Sequence, residues 1–180
     1  MRPTRRHILR VGGVLLAAPL AAPLAGRVWA AAGDTVEIVM RGNADGSQVW
    51  FDPIGVLIRP GQSVRWVNRD PGNSHTATAY HPQNFDRPLR IPAGAASWNS
   101  DYLLPDESFS VTLTVEGTYD YFCVPHEHAG MVGRIVVGRP SGPQGSVASA
   151  AKGGEPVPDE ALRAFPAVDE ILREGIVRRT

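Results

Sequence analysis

The chain holds a single cysteine, Cys123, within the run Tyr119-Asp120-Tyr121-Phe122-Cys123-Val124-Pro125-His126-Glu127-His128-Ala129-Gly130-Met131-Val132-Gly133. His126 follows three residues after it and Met131 five residues after that. A thiolate, an imidazole nitrogen and a thioether form a soft donor set, suited to copper in both of its common oxidation states. A trigonal His2Cys plane with a weak axial Met needs one more imidazole from elsewhere in the chain. The segment Asn68-Arg69-Asp70-Pro71-Gly72-Asn73-Ser74-His75-Thr76 offers it. Taken alone, His75 reads as a surface or capping histidine. Taken with Cys-x2-His-x4-Met downstream, it reads as a ligand.

Those four residues must be carried to one place by the elements around them. From Asp34 to Val137 the sequence alternates in short runs separated by Gly, Pro and Asn turns: Val36–Met40, Val49–Phe51, Val56–Ile58, Ser63–Asn68, Phe109–Val115, Thr118–Phe122 and Gly133–Val137. With no long helical pattern among them, these runs predict an antiparallel β-sandwich or barrel. His75 lies just past one strand end and Cys123 just past another, so a sandwich would bring both to one pole. Residues 80–104 are looser and predict a long crossover with a short helix or turn, pinned by Trp98 and Leu103.

The stretch Tyr119 to Val137 resembles the C-terminal copper loop of the cupredoxins, notably plastocyanins, pseudoazurins and halocyanins. Phe51-Asp52-Pro53, Pro60 to Asn68 and His75 resemble the upstream half of the same pattern, and Ile91-Pro92-Ala93-Gly94-Ala95 with Trp98 and Ser100 resembles a halocyanin-type insert. The resemblance covers about residues 34–138. It implies an all-β, cupredoxin-like Greek-key β-sandwich with one type 1 copper ion cycling between Cu(I) and Cu(II). By matching position, His75, Cys123 and His126 would be the strong ligands and Met131 the weak axial one. Many relatives have Asn directly after the first His; here Thr76 stands there, and its hydroxyl offers a similar tie between the two ligand loops. Pro125 has no N–H to direct at the sulfur. His81 and His128 read as solvated side chains, as does Glu127. Val124, Pro125, Ala129, Gly130 and Val132 are expected to form an apolar collar around His126 where a redox partner docks.

Outside this region, Arg5-Arg6 ahead of an apolar run from Val11 to Ala25 has the form of a Tat-type signal peptide over residues 1–32, cut near Ala30 or Ala32. The expected compartment is periplasmic or extracellular, with a membrane role only if the signal is retained as an anchor. Without the five arginines of that leader, acidic residues outnumber basic ones by five, which argues against nucleic acid as a partner. The domain itself is read as residues 33–138, followed by a Gly/Ser/Pro/Ala-rich linker over 139–157 and a helical tail over 158–180. In that tail Leu162, Phe165, Val168, Leu172 and Ile176 make one apolar stripe, which either packs on its own domain or docks a partner. A lone Cys in an exported chain is a free thiol, an intermolecular bridge or a metal ligand. A Cys–His nucleophile pair lacks an orienting third group, and no enzyme is expected. The function that fits is a monomeric one-electron carrier between redox partner proteins. A copper-delivery or storage module is the alternative, and zinc competes for such a site on affinity alone.

Overall fold

The alternation in the strands is a burial pattern. In β1 (Thr35–Gly42) Ile38 and Met40 are buried while their neighbours are partly exposed, and in β4 (Gln62–Asn68) Val64 and Trp66 are buried while Arg65 is exposed. A computed structural model describes residues 35–139 and 155–179 of the chain. The leader and most of the linker lie outside these described residues. The remaining strands are β2 (Val49–Asp52), β3 (Gly55–Ile58), β5 (Thr78–Ala79), β6 (Ser108–Leu113), β7 (Gly117–Phe122), β8 (Val132–Val137) and β9 (Ile176–Val177).

They form two sheets, one in the order β2-β1-β4-β6 and the other β5-β7-β8-β3-β9. Both are mixed, which corrects the expectation of antiparallel sheets. β1 runs parallel to β4, and β3 runs parallel to β8. The reason is topological. Alternation reports which face of a strand is buried, whereas pairing direction depends on how the chain crosses between layers. Here β3 leaves the first sheet for the second and β4 returns, so β3 pairs with neither β2 nor β4.

Between the sheets lies the core, with aromatic rings at its centre. Tyr121 packs edge-on against Phe51 and Trp66, at centroid distances of 4.8 and 5.2 Å. Trp98, delivered by the long crossover, packs 5.8 Å from Trp66 and 6.1 Å from Tyr119. Trp98 and Leu103 are both buried. The crossover contains turns and no helix over 80–104. Its order comes from hydrogen bonds instead, with the Asn84 amide donating to the carbonyls of Ala79 and Trp98, each at 2.9 Å.

Every residue of β8 is buried. A strand in a two-layer sandwich buries one face; this one buries two, because the C-terminal tail covers the outer face of the second sheet. The tail consists of α1 (Asp159–Ala164), a break at Phe165-Pro166, α2 (Val168–Glu174) and then β9, which pairs antiparallel with β3. The expected single stripe is corrected accordingly. Leu162 and Ile176 are exposed, while Ala161, Val168, Ile171 and Val177 are buried. The break at Pro166 resets the helical phase, so spacing counted across it does not describe one face. Ile171 and Val168 pack with Ile54, Val136 and Val177, and Ala161 packs with Tyr80, Phe122 and Val132. The tail is thus packed on its own domain.

Candidate metal centre

Two strand ends build the site. His75 lies between β4 and β5 and is tied to the crossover by a backbone bridge to Leu103, N–H to carbonyl in both directions at 3.1 and 2.8 Å. Cys123 follows β7 directly and Met131 precedes β8 directly; the Cys123 N–H donates to the Met131 carbonyl at 3.0 Å. Between them Val124–Ala129 forms a 3-10 turn, with Pro125 suited to its start. The turn ends at Gly130, whose φ of 77° lies in the left-handed region that favours glycine. Inside it the His126 N–H donates to the Cys123 carbonyl at 3.0 Å, and the Met131 N–H donates to the His126 carbonyl at 3.1 Å. The loop is therefore closed by its own backbone, with three of the expected ligands on it.

The donor atoms of His75, Cys123 and His126 converge. His75 Nδ1 lies 3.2 Å from His126 Nδ1 and 3.6 Å from Cys123 Sγ, and the His126 Nδ1 to Sγ distance is 3.4 Å. Among the described residues these three form a cluster of the kind that holds a metal ion. His75 Nε2 lies 2.9 Å from Asp70 Oδ2. A carboxylate only accepts, so Nε2 carries the proton and Nδ1 presents its lone pair to the cluster. Three potential ligand atoms thus surround one point, an arrangement that suits a cation. A point equidistant from all three lies about 2.0 Å from each, the length of a metal–imidazole bond. The donor set fits copper by chemistry as well as by distance. Met131 is fully buried at the same pole.

Burial governs the protonation of the metal-free site. It pushes the Cys123 thiol up to about 12, opposed by hydrogen bonds from Thr76 and His126. It also holds His75 and His126 below the ordinary imidazole value; the Asp70 carboxylate pulls His75 back up, and His75 adds repulsion at His126. At neutral pH both imidazoles are therefore neutral and ready to bind, while the thiol must lose its proton as a metal enters.

The surrounding bonds fix the loops to each other. Thr76 N–H donates to Cys123 Sγ at 3.3 Å, and Val124 N–H donates to Thr76 Oγ1 at 2.9 Å. Thr76 therefore makes the tie between ligand loops that an Asn would make.

Two expectations about the loop are corrected. Glu127 is not a solvated charge: it is 1% exposed, accepts from Tyr80 Oη at 2.7 Å and pairs with Arg87 at 2.5 Å. Burial raises its carboxyl above the usual range, against the opposing pull of Tyr80 and Arg87. The turn geometry directs it inward, which residue type alone does not show. Val132 does not belong to the collar, because it opens β8 and is buried beneath α1. Pro125 and Ala129 are exposed around a half-buried His126, and the flank at Gly130 is occupied by α1. His128 is exposed and His81 partly so; neither joins the cluster, and His81 Nδ1 accepts from the Gln83 N–H at 3.1 Å. Asp70 is the supporting residue that the ligand spacing alone does not mark. Its signal was there: an Asp heading a Pro-Gly-Asn turn five residues before the histidine marks a side chain tied to local backbone.

Comparison with known proteins agrees with this geometry. Residues 38–138 match the family described as copper binding proteins, plastocyanin/azurin family. Plastocyanin from Scenedesmus fuscus is 38% identical over 105 residues, which span 56% of this chain and 99% of that one. Chloroplastic plastocyanin from Chlamydomonas reinhardtii is 36% identical over 141 residues, 76% of this chain and 86% of that one. Among solved structures, a pseudoazurin from Sinorhizobium meliltoi superposes with a TM-score of 0.53 at 28% identity, covering 78% of this chain and 94% of its own. The chain belongs to the plastocyanin/azurin family of copper-binding proteins and has the cupredoxin fold. Its cofactor is copper, and by class it is a copper-binding electron carrier.

Proposed function

We propose that this chain is an exported one-electron carrier with a single type 1 copper site, in which His75, Cys123 and His126 supply the strong ligands and Met131 the weak axial one. The observation that carries the reading is the triangle of ligand atoms from His75, Cys123 and His126 at one pole. Copper bound there would supply a reversible one-electron couple. The protein's part is to keep the donor geometry unchanged. The backbone bridge at Leu103, the Thr76 tie and the closed Cys123–Met131 loop restrain the four residues in either oxidation state.

His126 is the only one of the three converging ligands with an exposed edge, so electrons would enter and leave there. Pro125 and Ala129 flank that edge and give a partner an apolar footing. The Tat-type leader supports export, and the excess of acidic residues outside that leader favours partner proteins over nucleic acid. A monomer with transient redox partners fits this arrangement.

The test is direct. Cu(II) added to the metal-free protein should produce an intense blue thiolate-to-copper absorption that ascorbate bleaches and Cys123→Ser abolishes. A colourless adduct, or colour surviving in Cys123→Ser, overturns the assignment. Ala129→Glu should slow electron exchange with every protein partner while leaving the colour intact.

A further inference from the structure

The pole that carries His75 is built around one carboxylate. Asp70 is 2% exposed and accepts four hydrogen atoms at most; three donors are in place. His75 Nε2–H reaches Oδ2 at 2.9 Å, the Asn73 amide reaches the same oxygen at 2.9 Å, and the Gly72 N–H reaches Oδ1 at 2.9 Å. Its own backbone is held by Asn68, whose Oδ1 accepts from the Asp70 N–H at 2.9 Å and whose amide donates to the carbonyls of Asn73 and Leu103 at 2.8 and 2.9 Å. The neighbouring strand leaves room for it: a Cβ at Gly42 would lie 2.1 Å from Asp70 Oδ2. Five residues on three segments thus place a full negative charge against the far nitrogen of His75. Burial alone would favour the neutral acid, whereas three donors aimed at its two oxygens favour the carboxylate.

A carboxylate behind a metal-bound histidine fixes the ring's tautomer and raises its basicity. It also acts by charge, favouring the oxidation state with more positive charge, and burial limits the screening of that effect. We propose that Asp70 is a positioning and potential-setting residue of the copper site, which holds His75 with Nδ1 inward and lowers the reduction potential by stabilising Cu(II) over Cu(I). This rests on the copper reading above.

The experiment uses the full chain, with Asp70→Asn as the main variant, because Asn keeps an acceptor for Nε2–H and removes the charge. Loss of such a partner typically weakens metal binding 10–100-fold. If Asp70 acts by charge, Cu(II) affinity falls at least tenfold relative to Cu(I), and the potential rises by about 59 mV or more. Nitrogen NMR of the metal-free proteins should show the Nε2–H tautomer at His75 in both wild type and variant, which separates charge from orientation. Gly42→Ala, which crowds the carboxylate without altering charge, should shift the potential in the same direction by less; it carries the test if Asp70→Asn does not fold. The inference is overturned by a relative change below twofold, about 18 mV, in a variant that binds copper in both states. It is equally overturned by an Nδ1–H tautomer in the metal-free wild type. A wild-type protein that forms no blue site instead sinks the copper reading, and the tautomer then still reports whether Asp70 orients His75.

Discussion

The two imidazoles of the candidate copper site are held by two carboxylates in opposite ways. Asp70 touches the ring of His75 itself, and both side chains are buried. Glu127 follows His126 in sequence but turns away from it, into Tyr80 and Arg87. The first carboxylate anchors a ring, and the second anchors the backbone turn on which a ring is mounted. That division matches the role proposed for each histidine. A ligand sealed in the protein can be fixed through its far nitrogen. A ligand that meets a partner must keep that edge free, so its support has to come from beneath. The support beneath His126 extends further: Arg87 also reaches Glu155 at 3.2 Å, and its guanidinium lies 5.5 Å from the centre of the Phe122 ring. The candidate copper loop thus rests partly on the segment that leads into the tail.

The largest effect expected from breaking this comparison is at Glu127. Glu127→Ala leaves the buried Arg87 guanidinium with only the exposed Glu155 as a carboxylate partner, and denaturant unfolding should show a loss of about 3 kcal/mol. Because Glu127 makes no contact with the ring, the position of the blue absorption should hold at low temperature. A shift of that band as large as that of a ligand substitution would erase the distinction between the two carboxylates.

Next is a pair of cavities. His126→Gly opens onto solvent, and added imidazole should restore the blue colour. His75→Gly leaves a sealed hole and a stranded Asp70, so imidazole should not restore it, and stability should fall by about 2 kcal/mol through the lost bond to a charged group. Equal rescue of both variants would show that burial does not separate them.

The metal-free protein should also lose stability in mild acid. His75 and His126 have folded-state values depressed below the ordinary 6.5. Below pH 6.5 the unfolded chain therefore binds protons that the folded chain refuses, so stability falls as pH drops through that value toward the depressed ones. Copper binding should sharpen the acid transition, since protons then compete with the metal as well. An acid-insensitive metal-free protein between pH 7 and 5 would contradict the burial assigned to both rings. The smallest effect is expected at His128: exposed and outside the cluster, it should tolerate His128→Ala within about 0.5 kcal/mol and with an unchanged spectrum.

Much of this site was legible from residue type and spacing. A lone Cys, two His and a Met at loop spacing name a chemistry, because few metals want that donor set. The strand alternation placed Val64, Trp66 and Leu113 inward for the same reason: burial on one face has a period of two. Legibility stopped where direction depends on distant chain. Glu127 reads as solvent-facing until Arg87 and Tyr80, some forty residues away, are folded beneath it. Asp70 reads as a turn residue until His75 folds back onto it.

By itself, then, the sequence determined the metal chemistry and the strands that carry the candidate ligands. Local patterns are enough for these, since each follows from a side chain's own donors or from its neighbours along the strand. Only the tertiary structure decided that the sheets are mixed, that the tail breaks at Pro166 and covers the second sheet, and that one histidine of the candidate site is sealed while the other faces out. Those depend on which distant segments meet, and buried charges such as Asp70 and Glu127 are tolerable only where their partners arrive from elsewhere in the chain.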